Sequence, residues 1–439
     1  MNIFIFCGPM AFGKGGMEKV AASLANYLSK KHVVTLGYFV REIGDRPAYT
    51  LVKTVSLAPW FKKLKDSRLD YSKRIVESSA DIFIYFGASS QALQVISLLE
   101  GFYIPIMMHE GSNPDSVIND NWSNIRGVSR SQAAWEREAL YSQASLIRFT
   151  MPEYVESLPF DMHKFAVSFY NAFEISDFCS NVKENKCLIN IGGLKSNKNI
   201  MPLLNVCDDL FRKFPEWQLH IFSAVNKSTA GEKYVEEVLK LIIDKGISKN
   251  VFLNSEVDDL EPEYLASGIH VITSLSEGLS NAVAESMTYG VPTVGVSNVP
   301  GVDGLVQHNR NGVLIERENI ENNLFEALDR LMSSSCLRED LGIKAREDAH
   351  IFEPISIYRK WEDALKICIE NHWKRNSEVH RHYSRVLIDL YRNSVVGFQK
   401  GKECRDIQKD FLIIRENRCD DSFFVDKESD LKRDRWSSV

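Results

Sequence analysis

A chain of 439 residues is too long for one hydrophobic core, so two domains and an appendage are expected. With 44% hydrophobic and 26% charged residues it has a globular composition; no apolar run approaches the roughly 20 residues that span a bilayer, and a net charge of −6 gives no case for nucleic acid. Eight cysteines, scattered singly without a Cys-x-x-Cys pair, read as reduced thiols of a cytoplasmic protein rather than disulfides or a zinc site.

Residues 1–7 are apolar but lack a basic leader and a cleavage site, so they read as a first strand and not a signal peptide. Strands are predicted at 2–7, 32–40, 81–86, 104–108, 145–149 and 165–169, with helical patterns between them. The clearest pattern sets Met17, Val20, Ala21, Leu24, Ala25 and Leu28 on one face. Residues 174–185 are polar and strandless, a linker. A second series then restarts, with strands at 187–191, 218–223, 251–253, 268–273, 292–296 and 313–315, and helices at 199–214, 231–245, 320–332 and 336–350. Such alternation implies α/β domains built on doubly wound parallel sheets, whose ligands sit at the carboxyl ends of the strands. Residues 352–370 form an amphipathic helix. From 372 onward charges of both signs mix with scattered aromatics, and Tyr383, Val386, Leu387, Leu390 and Tyr391 make a single stripe. That extension reads as a solvated helix or a partly disordered tail.

Two Gly-containing loops follow predicted strands and open helices. Gly8-Pro-Met-Ala-Phe-Gly-Lys-Gly15 approaches the phosphate loop Gly-x4-Gly-Lys-Ser/Thr. Gly15 stands where a hydroxyl would hold Mg²⁺, and no apolar strand ending in Asp offers the second ligand, but a P-loop-like NTPase stays open as an alternative. The second loop lies within 274–292. There Glu277 and Gly278 precede a helix opening near Ser280 and Asn281 and ending at Gly290. A strand–loop–helix junction aims backbone N–H groups and the positive helix end at one point, which suits phosphate. Glu277 and Glu285 bracket that point, and carboxylates so placed accept hydrogen bonds from sugar and ribose hydroxyls. Phosphate, ribose and a polyhydroxylated group together describe a nucleotide sugar.

Glu277-Gly278-x6-Glu285 followed by Gly290-x-Pro292 resembles the Glu-x7-Glu signature of the retaining glycosyltransferases of family 4, which have the GT-B fold. The resemblance covers roughly residues 1–370. It implies two Rossmann-like doubly wound domains facing a cleft: 1–173 on the acceptor side, 174–351 binding the nucleotide sugar, and a crossover helix at 352–371 packing back on the first domain, with the 372–439 extension outside the family pattern. It further implies that Glu277 contacts the donor sugar and Glu285 the ribose. Gly15 and Gly16, matching the family's Gly-Gly-x-Glu with Glu18, would approach the diphosphate by their amides, as would the amides of Gly278, Leu279, Ser280 and Asn281. His109 matches the histidine that touches the donor sugar; Glu110 and Asn113 are acceptor-side candidates. Lys198 matches the lysine that neutralises the leaving diphosphate. Gly193 stands where the family has an arginine, with Lys195 as a point-charge substitute, so a catalytically weakened nucleotide-sugar-binding protein is a further alternative.

The implied donor is a nucleotide-diphosphate sugar, UDP-linked rather than GDP-linked, with no cofactor and no metal. Asp-x-Asp is absent from the chain and His380-x-His382 reads as coincidence. The implied acceptor is a glycan or lipid-linked glycan of cell-surface polysaccharide synthesis. Lys62, Lys63, Lys65, Arg68, Lys73 and Arg74 beside Trp60 and Phe61 offer a peripheral contact with an anionic membrane at its inner face, the plainer reading being a solvated helix.

Overall fold

The computed structural model describes residues 1–375 apart from 12–14, 43, 62–66, 88–91, 93, 94, 97, 98, 100–103, 115–136, 138, 139, 159, 193, 224–228, 256 and 258. The chain divides into two units, Met1–Phe169 with the described residues from Lys360 on, and Tyr170–Arg359.

In the first unit, β1 (Asn2–Cys7), β2 (Val33–Val40), β3 (Val55–Phe61), β4 (Ile82–Phe86), β5 (Ile106–Glu110), β6 (Leu146–Phe149) and β7 (Ala166–Ser168) form one sheet. Its order is β3-β2-β1-β4-β5-β6-β7, every pairing parallel. Strands β4, β5 and β6 are buried at every position, as a parallel sheet covered on both faces requires. Helix α1 (Gly16–Leu28) follows β1 and buries Ala21, Leu24, Ala25 and Leu28, the stripe expected from their spacing.

Three differences from the sequence reading have physical causes. Strand β3 was not expected. Its Pro59 cannot donate to a ladder, but β3 lies at the sheet edge, where proline is tolerated. Trp60 therefore does not face lipid. It is 3% exposed and stacks on Tyr71 of α2 (Ser67–Glu77) at 4.7 Å. Lys62, Lys63 and Lys65 lie outside the described residues, as does the side chain of Arg68; Lys73 and Arg74 are exposed on α2. Finally, β5 runs two residues beyond Met108, so His109 and Glu110 are its last positions instead of a following loop. Polar side chains there ended the apolar run in the sequence, yet both are buried.

The second unit repeats the plan. Strands β8 (Cys187–Ile191), β9 (Gln218–Ser223), β10 (Val251–Ser255), β11 (Ile269–Ile272), β12 (Thr293–Val296) and β13 (Gly312–Ile315) are parallel, in the order β10-β9-β8-β11-β12-β13. Helices α4 (Met201–Lys213), α5 (Thr229–Asp244), α9 (Ile320–Ser333) and α10 (Ser335–Asp348) belong to this unit, as do the short helices α6 (Glu261–Leu265), α7 (Asn281–Thr288) and α8 (Pro300–Asp303), while the short α3 (Pro152–Glu156) belongs to the first. Leu203, Leu210, Trp217, Val271, Val294, Leu328 and Leu331 share its core. The strandless segment before β8 is tied down, not loose: Arg338, fully buried, donates to Val182 O and Lys183 O at 2.7 Å each. Helix α11 (Pro354–Arg375) starts in the second unit and belongs to the first from Lys360 on. Among the described residues no helix is long and apolar enough to cross a membrane.

In both sheets the earliest strand lies between the second and fourth of its series. Strand order thus reverses at β1/β4 and at β8/β11, and the crevice beyond such a reversal is where open α/β sheets take ligands.

Candidate active site

In the second unit the loops after β8 and β11 emerge side by side, because these strands are paired through Ile269↔Leu188 and His270↔Ile189. They are stitched together. Leu275 N donates to Asn197 O at 2.9 Å and the Thr273 hydroxyl to Lys198 O at 3.2 Å. A single 3₁₀ turn, Ser196–Lys198, raises Lys198 toward Glu277, and its Nζ donates to Glu277 Oε1 at 2.6 Å. The ion pair is half-sheltered, the side chains 29% and 11% exposed. Lys195 is exposed one turn away. Gly193 lies outside the described residues.

The Glu277 loop is shaped by a close approach. A Cβ on Gly301, in α8, would sit 2.5 Å from Gly278 O and 2.8 Å from Glu277 O, so only glycine lets this turn pack there. Ser280 commits both its polar groups to the fold. Its N–H donates to Gly301 O at 3.0 Å, and its Oγ caps α7 by accepting from Val283 N at 3.4 Å. The amides of Asn281 and Ala282, whose carbonyl partners four residues back lie outside the helix, add to the positive potential of this terminus. Leu279 is buried, so its side chain packs. Asn281 is held by Asn171, whose Nδ2 donates to Asn281 Oδ1 at 3.0 Å. At the far end Gly290 closes α7 with φ +69°, the left-handed conformation a glycine reaches without strain.

Glu285 lies on α7 beside α6. The Tyr264 hydroxyl is 3.2 Å from Glu285 Oε2 and 3.2 Å from Ala282 O, and the Tyr264 ring stacks on Tyr289 at 5.1 Å. Burial, reinforced by Glu285, pushes the Tyr264 phenol well above its usual range, so it stays a hydrogen-bond donor to the carboxylate. Tyr264 was not found from sequence; nothing in Glu261-Pro-Glu-Tyr264 signals a partner 21 residues away.

In the first unit, His109 is 1% exposed, its ring between Phe86 at 4.6 Å and Trp361 at 6.0 Å. Arg148 Nη1 lies 2.9 Å from His109 Nδ1. Burial, then the Arg148 charge, holds the imidazole well below its ordinary pKa. Glu110 points to the other strand face and into a buried network. Its Oε2 pairs with the Arg137 guanidinium and accepts from Tyr141 Oη at 3.1 Å, and its Oε1 accepts from Ser112 N at 3.0 Å. With both oxygens so engaged, Glu110 is placed as a structural ion pair and not as an exposed acid. Asn113 is buried beside it in sequence, 8% exposed. Gly15 caps α1, its carbonyl accepting from Tyr49 Oη at 3.1 Å, and Gly16 is exposed in the first turn. Lys14, on which the phosphate-loop reading depends, lies outside the described residues. Arg148 was missed, although a charge inside the apolar run Leu146–Phe149 was a signal.

Residues 173–348 match the family model described as Glycosyl transferases group 1. An uncharacterized glycosyltransferase of Haemophilus influenzae is 33% identical over 183 residues, covering 42% of this chain; the chain spans about half, 49%, of that relative's length. A Campylobacter jejuni GalNAc-alpha-(1->4)-GalNAc-alpha-(1->3)-diNAcBac-PP-undecaprenol alpha-1,4-N-acetyl-D-galactosaminyltransferase is 24% identical over 81% of this chain and 95% of its own. Among solved structures, Anabaena Alr3699/HepE in complex with UDP and glucose superposes with a TM-score of 0.69 at 16% identity, covering 83% of this chain and 99% of that one. These matches do not favour the phosphate-loop NTPase reading. The fold is that of the GT-B glycosyltransferases, and the chain's homologues are glycosyltransferases of glycan and polysaccharide synthesis.

Proposed function

We propose that this chain is a retaining, metal-independent glycosyltransferase of family 4 that moves a sugar from a UDP-linked donor to a hydroxyl of a glycan or lipid-linked glycan. The observation that carries this reading is the Lys198–Glu277 pair, which joins the two loops at the strand reversal of the family-matched unit. A cation and a carboxylate in contact there suit a ligand with both phosphate and hydroxyls. Lys198, helped by the exposed Lys195, would turn to the diphosphate as negative charge develops on it, and Glu277 would then accept from sugar hydroxyls. The amides of Asn281 and Ala282 add positive potential, and Glu285, oriented by Tyr264, grips the ribose diol. In the first unit, His109 is the candidate contact to the sugar and Gly15 and Gly16 are the candidates for the diphosphate.

In the reaction the bond from the anomeric carbon to the diphosphate oxygen breaks. A bond to the acceptor oxygen forms on the same face, and the acceptor's proton passes to the leaving phosphate. The UDP and glucose in the Anabaena structure support a UDP-linked donor. The undecaprenol-linked substrate in the Campylobacter relative's name supports a lipid-linked acceptor, which would bring the chain to the inner membrane face.

A thermal-shift panel of UDP- and GDP-sugars, with and without chelator, tests the donor, since a ligand specific for the native state raises the melting temperature. One UDP-sugar should stabilise the chain equally with chelator present. Proton NMR of the first product should then show the donor's anomeric configuration. A panel with no stabilising sugar nucleotide, or an inverted product, refutes the assignment.

A further inference from the structure

The histidine at the end of β5 has an electrostatic setting that the reading above does not use. Arg148 comes from β6, the neighbouring strand, where Arg148 is the register partner of His109. Its guanidinium is fully buried, donates through Nη2 to Phe169 O at 2.5 Å, and lies over the Trp361 ring at 5.1 Å and the Phe169 ring at 4.5 Å. This packing fixes the fork in place. Through Nη1 it then meets His109 Nδ1 at 2.9 Å.

A guanidinium has five N–H donors and no acceptor, so the ring nitrogen facing it must accept. A hydrogen on Nδ1 would break that bond and set two cations in contact inside a buried site. Among the described residues, Arg148 is the one charge resolved as acting on the ring. Phe86 on β4 and Trp361 on α11 do not titrate, Glu110 leaves the strand on the opposite face toward Arg137, and Glu362 on α11 pairs with Lys31. The other ring nitrogen has room beside it, because residue 111 is glycine: a Cβ there would stand 3.1 Å from His109 Nε2.

We propose that Arg148 is a positioning residue that locks His109 as the neutral imidazole with its proton on Nε2, making that edge a permanent hydrogen-bond donor to a hydroxyl of the transferred sugar. Only the identity of the hydroxyl rests on the glycosyltransferase reading. The lock itself is a property of the first unit. Its consequence is that the ring, kept neutral chiefly by burial, presents a donor and not an acceptor at Nε2.

The test uses the full chain with ¹⁵N-labelled histidine, His109→Gln identifying the His109 signals among the ten histidines. Native protein should show an unprotonated Nδ1 and a protonated Nε2 from pH 7.5 to 5.5. In Arg148→Met the tautomers should mix, with Nδ1–H appearing in the spectrum while burial alone still keeps the ring neutral, and transfer should slow about twofold as the Nε2–H fraction falls. Arg148→Lys, still a donor-only side chain, should restore the Nε2–H form and the rate. A protonated Nδ1 in the native protein at pH 7.5, or an unchanged spectrum in Arg148→Met, overturns the proposal; should Arg148→Met not fold, the native and Arg148→Lys spectra decide it. If the spectra are as expected but His109→Gln transfers at the native rate, the lock stands and the sugar contact falls.

Discussion

The two sheets share one strand order, but their candidate sites are built differently. In the second unit the site is nearly continuous in sequence: Glu277, Gly278, Ser280, Asn281 and Glu285 share one loop and one helix, with Lys195 and Lys198 on the neighbouring loop and Tyr264 on α6 beside them. In the first unit it is assembled from afar, with His109 on β5, Arg148 on β6 and Trp361 on α11. The contrast teaches where specificity of geometry comes from. A helix N-terminus with its own cap positions its side chains by local backbone rules, so a short segment can carry the whole device. A polar group at a strand end has no such local frame and must be oriented by burial against neighbours.

The comparison can be broken in order of expected effect. Glu277→Ala should lower kcat/KM for transfer about 100-fold, roughly 2.7 kcal/mol, by losing the sugar contact and freeing Lys198. A near-native rate would reduce the contiguous site to an ion pair with no catalytic part. Gly301→Ala should destabilise the second unit by about 1–3 kcal/mol, because the added methyl must displace the Glu277–Gly278 carbonyls. Denaturant unfolding measures this, and donor affinity should fall with it.

Acid probes both units at once. His270 is fully buried, and burial pushes its pKa down to about 3; His109 is lowered in the same direction. Below pH 6.5 the unfolded chain takes up protons that these folded residues refuse, so stability is complete above that pH and is lost as pH falls toward the folded values. Going from pH 7.5 to 5.5 should cost about 1.4 kcal/mol through His270 alone. His270→Gln, if it folds, should flatten part of that slope in melts across the range. The smallest expected effect is Tyr264→Phe. Loss of one hydrogen bond to Glu285 should weaken donor binding by about 1 kcal/mol, some fivefold by calorimetry, with little change in the melting temperature.

The amino-acid pattern by itself determined most of the architecture: two series of apolar runs alternating with 3.6-residue stripes, the restart near Cys187, and the strand–loop–helix at 269–290, since these follow from local periodicity, capping and glycine chemistry. Glu277 and Glu285 were legible as candidates for the same reason, lying on one segment; Lys198 was a candidate through the family resemblance alone, and the pairing of β8 with β11 brought it to Glu277. What only the tertiary structure decided were contacts at long sequence separation. Edge placement made Pro59 acceptable in β3 and put Trp60 in the core, burial turned Glu110 into an ion pair with Arg137, and packing against Trp361 aimed Arg148 at His109. A buried polar side chain takes its meaning from whatever partner the fold brings to it, and no local pattern records that partner.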